Sequence, residues 1–83
     1  MALGNRELYE NLLKLAESLR IEVREEALED RRGGLYQLKG KRHLLVNQGL
    51  PVEAKADLLV EILKKENLGG VYVLPALREV LEH

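Results

Sequence analysis

The 83-residue chain has no cysteine, tryptophan, phenylalanine or threonine, and it contains one serine, two prolines and two histidines. The absence of cysteine excludes disulfide bonds, thiolate catalysis and cysteine-ligated zinc. Ser18, the only aliphatic hydroxyl, lies in a charged helical pattern with no histidine nearby in the sequence, so no Ser–His arrangement is visible. We therefore expect a protein that is not an enzyme, with no catalytic residues, no cofactor and no metal.

Long hydrophobic runs are also missing. No apolar stretch approaches the roughly 20 residues of a membrane span, and the first residues do not form a signal peptide. These absences predict a cytoplasmic protein without membrane contact. The ending Leu81-Glu82-His83 is similar to the start of a vector-encoded polyhistidine tag, so we expect one domain over residues 1–80 and a tag remnant at 81–83.

The residues that are present fit a single small globular domain, with 46% hydrophobic and 33% charged residues. A net charge of −1 hides a local asymmetry in the charge distribution. Residues 22–30 carry five acids and one base, whereas residues 31–52 carry five bases and no acid. Those five bases are Arg31, Arg32, Lys39, Lys41 and Arg42.

The spacing of apolar residues predicts an α-β-β-β-α order with a short C-terminal tail. The predicted elements are a helix over 5–19 capped by Asn5, strands at 20–25, 35–39 and 42–47, a helix starting at Leu50-Pro51, an extended segment at 71–74 and a helical turn at 75–81. A two-residue turn at Lys39-Gly40 or at Gly40-Lys41 joins the second and third strands. The fold class is α+β, with a small antiparallel sheet of about three strands backed by two helices.

Both faces of the predicted hairpin are apolar. One face carries Leu35, Leu44 and Val46, and the other carries Tyr36, Leu38 and Leu45. Two helices can cover only one of these faces, and the sequence does not show which. Because exposed apolar patches of this kind mark interfaces, the six residues are the candidate contact surface of a homodimer or of a small protein partner. The acidic segment of one copy could meet the basic segment of another.

Two other interpretations remain open. The basic hairpin could follow phosphates while Tyr36 stacks on a base, which would make the chain a nucleic-acid-associated module, although the net charge is negative and tyrosine is the only aromatic type. His43, beside Tyr36 or Leu45 depending on the register, could serve an enzyme if the fold brings a carboxylate to it.

Residues 40–65, GKRHLLVNQGLPVEAKADLLVEILKK, resemble the strand-to-helix core of the bacterial ImmA/IrrE-type zinc metallopeptidases. The matching residues are Leu45-Val46-Asn47, Leu50-Pro51, Glu53 and the helix to Lys65. The family's H-E-x-x-H motif is absent, since its histidine positions fall on Glu61 and Lys65 or, shifted by one residue, on Val60 and Lys64. The resemblance therefore implies an inactive metallopeptidase-like fold that holds no metal.

We predict that the protein holds no structural zinc and cleaves no peptide bond, because zinc needs imidazole or thiolate ligands on converging positions and neither register supplies a histidine pair. Elemental analysis after removal of any tag, together with a casein cleavage assay, checks this prediction. One equivalent of tightly held zinc would contradict it.

Overall fold

The computed structural model describes residues 3–82, so His83 of the expected tag remnant lies outside the described residues. The elements are α1 (Asn5–Ser18), β1 (Ile21–Glu26), β2 (Gly33–Leu38), β3 (Lys41–Asn47), α2 (Val52–Leu63) and α3 (Pro75–Leu81). This order confirms the α+β class. The segment 71–74, predicted to be extended, has no regular secondary structure and belongs to no strand of the described chain.

The helix boundaries follow local chemistry with one exception. Gly4 is the N-cap of α1, and the helix already begins at Asn5, so the prediction that Asn5 caps it was wrong. Pro51 has an extended backbone and precedes the first residue of α2, where its missing N–H costs no hydrogen bond. Pro75 begins α3 for the same reason.

The sheet has the strand order β1-β3-β2, with β3 in the centre. β2 pairs antiparallel with β3, but β1 pairs parallel with it, so the sheet is mixed. The expected antiparallel pairing thus holds for the hairpin and not for β1. Alternation in a sequence identifies the buried side of a strand, but it does not identify the neighbour with which that strand pairs.

The turn between β2 and β3 resolves the choice that the sequence left open. Leu38 pairs with Lys41, which makes Lys39-Gly40 the two-residue turn. The φ angles of Lys39 and Gly40 are 52° and 78°, and both lie in the left-handed region. A type I′ hairpin turn requires this geometry at both central positions.

The helices and the tail all lie on one side of the sheet. The largest fully buried side chains are Leu12, Leu44, Leu59, Leu63 and Val46, which join α1, α2 and β3 in one core. α3 packs against α1 and α2 rather than against the sheet, and it buries Leu77 and Leu81 there. The helices therefore cover the sheet face that carries Leu44 and Val46.

Asn47, at the end of β3, holds the loop 27–32 that carries the chain from β1 past β3 to β2. Its side chain is buried, and Nδ2 donates to the carbonyls of Glu29 at 3.0 Å and of Arg31 at 2.7 Å. Its Oδ1 accepts from the backbone N–H of Gly49 at 3.0 Å. Beyond the loop, Gly33 has φ +125°, and a Cβ there would lie 2.0 Å from the carbonyl oxygen of Leu45. The crossing thus depends on the side-chain amide of Asn47 and on the absence of a side chain at Gly33.

We predict that Asn47→Ala lowers the free energy of unfolding by about 2–3 kcal/mol, because the loop carbonyls would lose their donors while remaining partly buried. Asn67→Ala is the matched control, since the Asn67 side chain bonds only an exposed backbone N–H, that of Gly69. The control should change stability by less than about 0.5 kcal/mol. Urea denaturation of the three proteins measures the difference, and equal losses in the two variants would contradict the prediction.

A hydrogen-bonded cluster of Tyr9, Glu25 and Lys55 connects α1, β1 and α2. The Tyr9 hydroxyl donates to Glu25 at 2.6 Å, and Nζ of Lys55 lies 2.8 Å from the same carboxylate. The hydrogen bonds from Lys55 and from Tyr9 lower the pKa of Glu25 below its ordinary value. Burial, and then the hydrogen bond to Glu25, raise the pKa of Tyr9. The cluster therefore favours the ionised form of Glu25 and the protonated form of Tyr9.

A lowered folded-state pKa means that Glu25 stabilises the protein above its unfolded pKa of about 4.3, and that this contribution is lost as the pH falls through the folded value. We predict that Glu25→Gln costs about 1 kcal/mol at pH 7, a modest figure because the side chain is 36% exposed. The difference from the wild type should shrink below about pH 4.3. Denaturation curves at several pH values measure it, with exposed Glu10→Gln as the control.

Candidate interaction surface

The side of the sheet opposite the helices is open. Strand alternation and register place ten residues on this side of the sheet: Glu22, Arg24 and Glu26 from β1, Lys41, His43, Leu45 and Asn47 from β3, and Gly34, Tyr36 and Leu38 from β2. Asn47 is buried by the loop 27–32, so the other nine residues form the open face. No helix of the described chain packs on it. The open face is charged along β1 and apolar along β2.

An aromatic pair occupies the middle of the open face. Tyr36 and His43 are directly opposite in the hairpin register, and their rings stack with centroids 5.1 Å apart and planes 15° apart. This register selects Tyr36 over Leu45 as the neighbour of His43. The stack leaves the His43 side chain only 14% exposed.

The parallel pairing of β1 with β3 places a carboxylate beside His43. Nδ1 of His43 lies 3.3 Å from Oε2 of Glu22, within ion-pair distance, yet the geometry forms no hydrogen bond and Nδ1 is buried without a partner. A histidine–carboxylate pair alone makes no active site, because catalysis also needs a concave place for a substrate. The hollow at Gly34 and the groove beside β1, described below, are not lined by His43.

The apolar half of the open face contains an exposed leucine, Leu38, and a shallow hollow. Leu38 is 54% exposed, and Tyr36 and Leu45 are half-buried. A shallow hollow of about 270 Å³ lies over Gly34, where the absence of a side chain leaves space. Its walls include Leu28, Leu35, Tyr36 and Leu45.

Three of the six predicted interface residues, Tyr36, Leu38 and Leu45, thus lie on the open face. Leu35 is on the helix side of edge strand β2 and remains 39% exposed. Leu44 and Val46 have no exposed surface, so their assignment to an interface was wrong. The sequence could not separate the two apolar faces, because only the packing of α1 and α2 decides which face becomes core.

The predicted basic residues are largely engaged with carboxylates. Arg42 bonds Glu66 at 2.6 Å and also donates to the carbonyl of Leu19 at 3.1 Å. Arg32 pairs with Glu61 at 3.1 Å, and Lys41 lies 3.9 Å from Glu22. Arg31 and Lys39 have no ion-pair partner among the described residues. These pairings reduce the positive charge offered to phosphates, so the nucleic-acid interpretation gains no support.

The positions that correspond to the metallopeptidase motif lie near the end of α2. Glu61 is inside the helix and paired with Arg32, whereas Lys65 lies beyond the last helical residue, Leu63. Within residues 3–82, no group of three histidine or acidic side chains is arranged to hold a metal ion. No helix in that range is long and apolar enough to cross a membrane.

Comparisons with protein-family models, with curated proteins and with solved structures gave no match. The resemblance of residues 40–65 to the metallopeptidases therefore stays a prediction.

Sequence reasoning missed the contacts that depend on β1. The approach of Glu22 to His43 and the Tyr9–Glu25–Lys55 cluster both follow from the parallel register with β3 and from the packing of α1 and α2. No local pattern in the sequence signals either contact. The alternation of Ile21 and Val23 with charged residues identified the strand, but it gave no information about the neighbour beside it.

Proposed function

We propose that the chain is a non-catalytic protein-interaction domain that self-associates through the open face of its sheet and acts without metal or cofactor. The observation that carries this proposal is the position of the tail. α3 packs on α1 and α2, so the third helix, which could have covered the second face, leaves it in solvent. Tyr36, Leu38 and Leu45 then form an apolar strip that no helix of residues 3–82 covers.

Charge favours a second copy as the occupant of this face. On the open face, β1 carries Glu22 and Glu26 with Arg24 between them, whereas Lys39 and Arg31 flank the two ends of β2. Packed sheets keep their strands within about 30° of alignment. A twofold axis along β3 then lays β1 of one copy across β2 of the other, with Glu26 toward Arg31 at one end and Arg24 over the uncharged hollow at Gly34.

The size of the apolar strip is sufficient for a weak dimer. Because a twofold contact buries each side chain on both copies, covering Tyr36, Leu38 and Leu45 contributes on the order of 10 kcal/mol gross. Association costs at least about 4 kcal/mol. With that minimum cost, the dissociation constant is about tens of micromolar at the tightest.

We predict that the wild-type protein has a mass above the 9.4 kDa of one chain at tens to hundreds of micromolar, and that Leu38→Glu halves that mass. Leu38 is 54% exposed, so a charge there places no carboxylate in the core. Leu74→Glu is the matched control, because Leu74 is 41% exposed and lies before α3, on the helix side of the molecule. It should leave the mass unchanged.

Light scattering coupled to size exclusion measures these masses, and circular dichroism checks that each variant is folded. A wild-type protein that remains a monomer across this concentration range would overturn the proposal. Equal effects of the Leu38 and Leu74 substitutions would also overturn it, since they would show that the open face is not the contact.

A further inference from the structure

The outer edge of β1 is a second surface without a partner. β1 lies at one side of the sheet and pairs only with β3, so the backbone groups on its other side are available for hydrogen bonding. A groove of about 630 Å³ lies beside its first half, and its walls include Leu13 and Glu17 of α1 and Ile21 and Val23 of β1. An extended strand could therefore be added along this edge.

The charges of β1 are self-complementary. Glu22 and Arg24 are exposed, lie on the open face and flank Val23. In an antiparallel pair of two β1 strands about a twofold axis at Val23, Glu22 of each copy lies directly opposite Arg24 of the other. Residues opposite each other on one face have Cβ atoms about 4.5–5.5 Å apart, which is close enough for ion pairs.

Neighbouring registers lose this match. If the axis passes through Glu22 or through Arg24, that residue faces its own copy and like charges meet. If it passes through Glu25, Arg24 of each copy lies opposite Glu26 of the other, but this match is offset because two Glu25 carboxylates meet on the axis. The register about Val23 also lays Ile21 opposite Glu25, a neutral pairing. Charge therefore selects one register of the antiparallel pair.

We propose that two copies of this chain pair β1 to β1, antiparallel about a twofold axis at Val23, so that the three strands of each copy join in one continuous sheet. Charges at a sheet edge also serve to prevent pairing, but a protective edge of one sign would repel a second copy, whereas the signs at 22 and 24 alternate. β2, the other edge strand, has no charged residue and two glycines, so nothing there fixes a register.

This contact is separate from the open-face contact and does not depend on it. Edge pairing leaves the helices of both copies on one side of the joined sheet and both open faces on the other. If both contacts form, two joined sheets pack face to face as a tetramer, and loss of either contact halves the mass.

The test uses two charge variants, Glu22→Arg and Arg24→Glu, separately and mixed, each also carrying Leu38→Glu so that the open-face contact cannot pair unlike chains. Each variant alone places like charges opposite each other twice, so its edge contact should weaken at least tenfold. In an equimolar mixture, the two arginines of one chain face the two glutamates of the other, so a heterodimer should form. Native mass spectrometry separates the heterodimer from both homodimers, because the two variants differ in mass.

Mixing isolates the contact between chains. Glu22 also lies near Lys41 and His43, and Arg24 pairs with Glu26, so each substitution disturbs its own chain. Those disturbances are the same before and after mixing. With the open-face contact removed by Leu38→Glu, recovery of association on mixing reports the pairing of residue 22 with residue 24 across two copies.

A cross-link gives a second, independent measurement. The chain has no cysteine, so Val23→Cys introduces a single thiol on the proposed axis. With oxidised glutathione, this variant should become a disulfide-linked dimer, since residues opposite each other at a twofold axis are within disulfide reach. Gln37→Cys, exposed on the other edge strand, is the control and should remain largely monomeric on a non-reducing gel.

The absence of heterodimer in the mixture would overturn the edge pairing, as would equal cross-linking of the Val23 and Gln37 variants. These results are distinguishable from failure of the open-face contact. A halved mass for Leu38→Glu with no heterodimer supports the open face alone. A heterodimer with no effect of Leu38→Glu supports the edge alone.

Discussion

The crossing of the chain from β1 over the end of β3 is the constraint on which the rest of this structure depends. The loop 27–32 makes that crossing, and the side-chain amide of Asn47 donates to the partly buried carbonyls of Glu29 and Arg31 in it. The close approach of Gly33 to the Leu45 carbonyl then sets the start of β2. With the crossing in place, β3 is the central strand, and β1 and β2 are both edges.

Two consequences of the crossing reach the candidate surfaces. The parallel register brings Glu22 beside His43, and it leaves the charged strand β1 with a free outer edge. The antiparallel hairpin puts Tyr36 over His43 and leaves the uncharged strand β2 at the opposite edge. The two edges therefore differ in character. The β1 edge has charges that can set a register, whereas the β2 edge is uncharged and ends in the apolar residue Leu38.

Much of this fold could be predicted from local patterns, because helix and strand periodicity depends on neighbours in the sequence. The helix at α1, the β2–β3 hairpin and the helix after Pro75 all follow from such patterns. The partner of β1 could not be predicted, since it depends on where the loop 27–32 crosses. The sequence also could not distinguish Leu44 and Val46 from Tyr36 and Leu45, because only the packing of α1 and α2 buries Leu44 and Val46 in the core.

The placement of α3 explains why a second face stays uncovered in so short a chain. α1 and α2 bury wide apolar faces against each other and against the sheet. The side of these helices away from the sheet has a further apolar surface near Leu15, on which the tail can pack. The tail leaves the end of α2 on that side, through Gly69-Gly70, so Val73 and Leu77 reach the helices after a few residues. To cover Tyr36 and Leu45 instead, the tail would have to pass around an edge of the sheet. A short connection favours the nearer surface, so the tail packs on the helices and none of the helices in residues 3–82 covers the open face.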